Sequence, residues 1–169
     1  MSSKKYLLKP VLKTIKEGFT LVDENDTLVY EGKMTKFSLF TASPYQFTNH
    51  ITNKTEEYKI GKTVTVEESG SLNFFSTKSY FKFNGEKIWN YLHDKGVRIS
   101  SSLSSNKIGM TYEVSFEGKQ IATIASSSPK GKSIITTDKY YEVTCEEKDL
   151  DLVFLVAFSI AKTDQVFYN

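Results

Sequence analysis

Between residues 19 and 146 apolar and polar positions alternate in short runs broken by turn residues. Phe19 to Asp23 and Thr27 to Lys33 flank the polar connection Glu24-Asn25-Asp26, which has hairpin length. Met34 to Phe40 and Tyr45 to His50 follow, parted at Pro44, which has no amide hydrogen to give to a ladder. Glu57 to Ile60 and Thr63 to Glu67 are parted by Gly61, and Leu72 to Phe75 and Tyr80 to Phe83 continue the series. Val97 to Ser105, Met110 to Phe116, Gln120 to Ser126 and Ile134 to Glu146 repeat it, with Glu117-Gly118-Lys119 as a tight turn. Many short strands without a helix after each predict an antiparallel sandwich or barrel, not a parallel α/β sheet.

Two segments break the alternation. Asn84 is placed to cap a helix over about 85–95, whose Ile88, Trp89 and Leu92 share one face and which Gly96 ends. From Asp149 to Lys162 the pattern is different: Leu152 to Ala161 is apolar but for Ser159 and leaves no polar stripe at a 3.6-residue period. Acidic residues before it and Lys162 at its end suit a helix macrodipole. Such a helix must be enclosed on all sides, and its apolar run spans only about 15 Å, roughly half a bilayer core. A strand buried on both faces is the alternative that periodicity leaves open. Antiparallel strands with one uniformly apolar helix predict a mainly β (α+β) fold, a closed antiparallel barrel around a central C-terminal helix, in a single domain over 1–169 with 1–18 as a basic lead-in and 149–162 as the central helix.

Composition restricts the chemistry. The chain has 169 residues, 14% aromatic and 39% hydrophobic content, which suits one sizeable core. Its 22 basic and 20 acidic residues give +2, and every basic residue except Arg98 is Lys. Readers of nucleic acid carry larger excesses and more Arg, so nucleic acid is not an expected partner. The single cysteine, Cys145, permits no internal disulfide and fits a reducing, cytoplasmic location. Lysines break the apolar residues of 1–18 into runs of two, so no export signal of the usual kind is expected.

No catalytic or cofactor pattern is complete. Gly61-Lys62-Thr63 and Gly131-Lys132-Ser133 end like phosphate-binding loops, but Glu56 and Ser126 stand where the first glycine belongs. Asp23-Glu24-Asn25-Asp26-Thr27 begins like a calcium loop, but Leu28 replaces its glycine. His50 and His93 lack a neighbouring motif, and Glu146 beside Cys145 opposes thiolate formation. No cofactor, metal or catalytic residue is therefore expected. The binding candidates are Lys4, Lys5, Lys9 and Lys13, interleaved with apolar residues as on an anionic membrane, and Lys130 and Lys132 in a Ser- and Gly-bearing loop. The ordinary alternatives are a first strand with a lead-in and a polar hairpin tip. Ser100 to Ser105 reads as an exposed strand.

The string from Phe19 to Lys33 (FTLVDENDTLVYEGK), Gly109 to Val114 (GMTYEV) and Asp151 to Ala161 (DLVFLVAFSIA) together resemble the Tubby C-terminal-like superfamily, in its LURP-one-related and phospholipid-scramblase-like branch. That resemblance implies about twelve strands around a central hydrophobic helix. It also implies a link to phosphoinositide headgroups or membranes, while the calcium loop, cysteine cluster and proline-rich tail of scramblases are missing here. The expected function is a non-enzymatic binding or scaffold module, peripheral to a membrane through anionic lipid headgroups. A protein-interaction module using an exposed strand edge or the 85–95 helix, and an enzyme with an unrecognised site, are the other two classes. Oligomeric state is left open.

Overall fold

The computed structural model describes residues 3–13, 16–36, 43–66, 72–80, 82–83, 86–87, 92–103, 110–127 and 140–168. The chain is mostly β. The strands are β1 (Lys4–Lys13), β2 (Lys16–Val22), β3 (Leu28–Met34), β4 (Ser43–Asn49), β5 (Lys54–Val66), β6 (Leu72–Tyr80), β7 (Lys82–Phe83), β8 (Glu86–Lys87), β9 (Val97–Leu103), β10 (Met110–Phe116), β11 (Lys119–Ser127) and β12 (Tyr140–Cys145). A short 3₁₀ turn over Glu147–Asp149 leads into α1 (Leu150–Tyr168).

One 10-stranded antiparallel sheet runs β6-β5-β4-β3-β2-β1-β12-β11-β10-β9. It consists of two meanders, β1 to β6 and β9 to β12, joined where β1 pairs with β12 from Lys4↔Cys145 to Leu8↔Tyr141. Among the described residues that pairing ends at Leu8↔Tyr141, and Pro10 pairs with Phe19 of β2. Glu117 and Gly118, both at positive φ (51° and 81°), join Phe116 to its partner Lys119 as the sequence predicts.

Side chains of period two line the inner face: Tyr6 and Leu8, Phe19 and Leu21, Tyr45 and Phe47, Ala122 and Ile124, Tyr141 and Val143 are all buried. α1 lies against this face. Every residue from Val153 to Ala161 is buried, so the helix is covered around its whole circumference, as its uniform apolarity requires. Ser159 meets the cost of a buried hydroxyl inside the helix, its Oγ donating to the Leu155 carbonyl at 2.7 Å.

Two aromatic rings seat the helix. Phe154 stacks on Tyr30 at 4.2 Å and meets Phe47 edge-on at 5.2 Å. One turn later Phe158 meets Phe19 at 5.1 Å and Tyr45 at 5.4 Å, both edge-on. These rings fill the space towards β2, β3 and β4, while the helix backbone comes closest to β6, β12 and β11. Gly32 makes room for them: a Cβ there would lie 2.9 Å from Phe47 and 3.1 Å from Phe154.

Two expectations change. The closed barrel of about twelve strands is, among the described residues, a sheet whose end strands β6 and β9 are not joined. The helix expected over about 85–95 falls largely outside the described residues; of those described, Glu86–Lys87 pair with Lys82–Phe83 and 92–94 are helical. The central helix also runs past Lys162 to Tyr168, because a basic residue favours a helix C-terminus without terminating it.

Replacing Phe158 by Ala removes a fully buried ring and is expected to cost about 3–5 kcal/mol in urea unfolding, against about 0.5 kcal/mol for Leu28→Ala at an exposed position. Gly32→Ala, which adds one methyl beneath two rings, is expected to cost about 1–3 kcal/mol.

Candidate functional site

All hairpin tips that adjoin the start of α1 gather at one end of the sheet, and there the polar groups meet. Asp151, in the first turn of α1, accepts at Oδ1 from the Tyr30 hydroxyl (2.9 Å) and from Asn49 Nδ2 (3.0 Å). Asn49 is buried at the end of β4, and its Oδ1 accepts from the Ile51 and Thr52 amides at 2.9 and 3.2 Å. One amide thus shapes the turn between β4 and β5 and ties it to the helix. Nearby, the Tyr58 hydroxyl donates to Glu56.

Beside this network lies a cleft of about 490 Å³ lined by Glu56, Glu57, Tyr58, Lys95, Asp151, Leu152 and Leu155. Three carboxylates face one ammonium across an apolar floor. A second cleft, of about 340 Å³, is lined by Lys5, Tyr6, Leu7, Val22, Asp23, Glu24, Asp26 and Glu142. Asp23 orders its loop by accepting from the Asn25 and Thr27 amides, both at 2.9 Å. Among the described residues, no group of three His, Cys, Asp or Glu side chains converges as a metal site would.

The predicted lysines are distributed along β1 and are not gathered into one pocket. Lys4 lies 3.8 Å from Glu147 and Lys9 bonds Asp26 at 3.1 Å, so each has an acidic neighbour in an exposed, weak pair. Lys5 borders the second cleft. Lys13 sits at the opposite end of β1, paired with Lys16 of β2. Lys130 and Lys132 lie outside the described residues. His50 approaches Glu31 at 3.3 Å, and His93 is exposed, its carbonyl accepting from Arg98 at 2.9 Å.

Sequence reading missed Tyr30, Asn49, Glu56 and Tyr58. Asp151 was legible as a favourable helix-start charge, but its partners stand 102 and 121 residues away, and no local pattern carries such a pairing. Among the described residues, no helix is long and apolar enough to cross a membrane.

Burial also determines the titration of three groups. It pushes the Cys145 thiol from 9.0 up to about 12, aided by the charges of Asp149 and Glu146. Burial, then the charges at Cys145 and Glu147, pushes Tyr6 from 10.0 up to about 12. Tyr30 is raised by burial and by its hydrogen bond to Asp151. In each case the fold favours the neutral form. Its stabilising effect is complete below the unfolded values of 9.0 and 10.0 and is lost as pH rises towards about 12. The urea midpoint is therefore expected to hold up to about pH 9 and to fall from there towards pH 12, and a thiol reagent at pH 8 to label Cys145 at least about 100-fold more slowly than in the unfolded chain. Equal labelling rates would contradict the burial.

No family model matches the chain, and no curated protein matches it. Among solved structures, an X-ray structure of a protein from Arabidopsis thaliana is similar over 93% of this chain and 91% of its own, at 12% identity and a TM-score of 0.39.

Proposed function

We propose that the chain is a Tubby C-terminal-like domain whose sheet, among the described residues, is open between β9 and β6, and that it acts as a non-enzymatic module binding an anionic lipid surface. The family reading rests on the three sequence strings and on the helix enclosed by antiparallel strands. With the interior occupied by α1, a ligand has the outer surface and the two ends of the sheet available to it.

The observation that carries the membrane reading is the segregation of charge along the helix axis. Carboxylates line both clefts near the start of α1. At the other end, Lys13 pairs with Lys16, and Lys33 and Lys36 are exposed at and just beyond the end of β3. Glu31 offsets part of that charge, lying 4.0 Å from Lys33. Lysines near an anionic bilayer each contribute about 1 kcal/mol, and that attraction weakens as salt shortens its range. The protein would therefore dock with the Lys13 end towards lipid and the acidic clefts pointing away.

Sedimentation with vesicles of phosphatidylcholine alone, or mixed with phosphatidylserine or a phosphoinositide, tests this. Binding is expected only to the anionic mixtures and is expected to disappear with added salt. Lys33→Glu with Lys36→Glu should weaken it at least about tenfold, while Lys4→Glu with Lys9→Glu, at the acidic end, should leave it nearly unchanged. Failure to sediment with any anionic mixture at low salt sinks the reading.

A further inference from the structure

The two end strands of the sheet differ in how their free edges are guarded. Natural edges are protected by Lys, Pro, inward charges or bulges. At the β6 end the pairing of β5 with β6 shifts register between Val64 and Val66, which guards that edge. β9 has none of these devices. Its pairing with β10 runs unshifted from Val97↔Phe116 to Leu103↔Met110, and its sequence, Val-Arg-Ile-Ser-Ser-Ser-Leu, holds no proline, lysine or acid. Ser100, Ser101 and Ser102 are exposed, and among the described residues no strand lies along the far side of β9. Its one charge is turned back on its own chain, with Arg98 Nη1 donating to the carbonyls of His93 at 2.9 Å and Val97 at 3.0 Å.

We propose that this edge is a self-association surface, on which a second copy of the chain adds its own β9 antiparallel across a two-fold axis at Ser100. Centred there, the strand is compatible with itself. Arg98 stands opposite Ser102, Ile99 opposite Ser101, and Ser100 opposite Ser100, so no like charges face each other. Residues of the same parity pair, which keeps the core-facing Val97 and Ile99 of both copies on one side of the joined sheet. The Val97 carbonyl is already occupied by Arg98, so the shared ladder covers Arg98 to Ser102, again centred on Ser100. A net charge of only +2 repels the copies little. Pairing β9 with the β6 edge of another copy would instead be head-to-tail and open-ended, and β6 presents the guarded edge. The two-fold pair closes after two copies. This inference does not depend on the membrane reading.

Light scattering after gel filtration, over a wide concentration range, reads the association directly, and a cysteine pair reads its register. Across the axis, residue 100 of each copy should stand about 4.5–5.5 Å from its mate, within disulfide reach, whereas the two residues at 102 are separated by about four residues of strand, roughly 13 Å. Under mild oxidation Ser100→Cys is expected to form a covalent dimer at least about tenfold faster than Ser102→Cys, the native Cys145 being buried. Ser100→Lys, which sets two ammonium groups against each other at an exposed position, is expected to give monomer with an unchanged circular dichroism spectrum. A wild-type chain that is monomeric at every concentration overturns the proposal, as does equal cross-linking at 100 and 102, or a dimer that survives Ser100→Lys.

Discussion

The enclosure of α1 is the constraint from which the remaining architecture follows. An α-helix with nine consecutive buried residues has no surface to give to water, so the sheet must curve around it. Phe154 and Phe158 set the distance at which it does so, their rings reaching Tyr30, Phe47, Phe19 and Tyr45 where the backbone itself stands off. Gly32 is the matching adjustment on the sheet side. Aromatic geometry, and not only apolar area, therefore fixes the position of the helix against β2, β3 and β4.

That constraint also explains where polar chemistry can reside. With the inner face packed, ordered polar contacts collect where the helix enters. The bonds of Tyr30 and Asn49 to Asp151 register the helix start against β3 and β4. The two clefts beside it are acidic, and the lysines Lys4 and Lys9 on that side lie against carboxylates. A basic strand segment read in isolation looks like an anion site; in the fold, half of it is neutralised by residues that arrive from other hairpins.

What the sequence disclosed depended on how local its cause was. Leu152 to Ala161 announced an enclosed helix, because uniform apolarity over a run too short to span a bilayer has few other solutions. The turn at Glu117-Gly118 and the strands around it were equally local. The junction of Lys4 with Cys145 and the partners of Asp151 were hidden altogether, because each joins residues more than a hundred positions apart with no shared pattern. Closure of the sheet was inferred from the need to cover the helix, and the helix is covered while β6 and β9 are left unjoined among the described residues.

The position of α1 after every described strand has a consequence for biosynthesis. As the polypeptide leaves the ribosome, both meanders can form their hairpins early, but the rings of Phe19, Tyr45 and Phe47 wait on a bare concave sheet until the last described element emerges. A nascent chain at that stage shows an oily trough and two raw strand borders, the kind of surface that recruits chaperones or sticks to its neighbours. Joining Lys4 to Cys145 must also span 141 positions of the polypeptide, so final consolidation is a late, slow event.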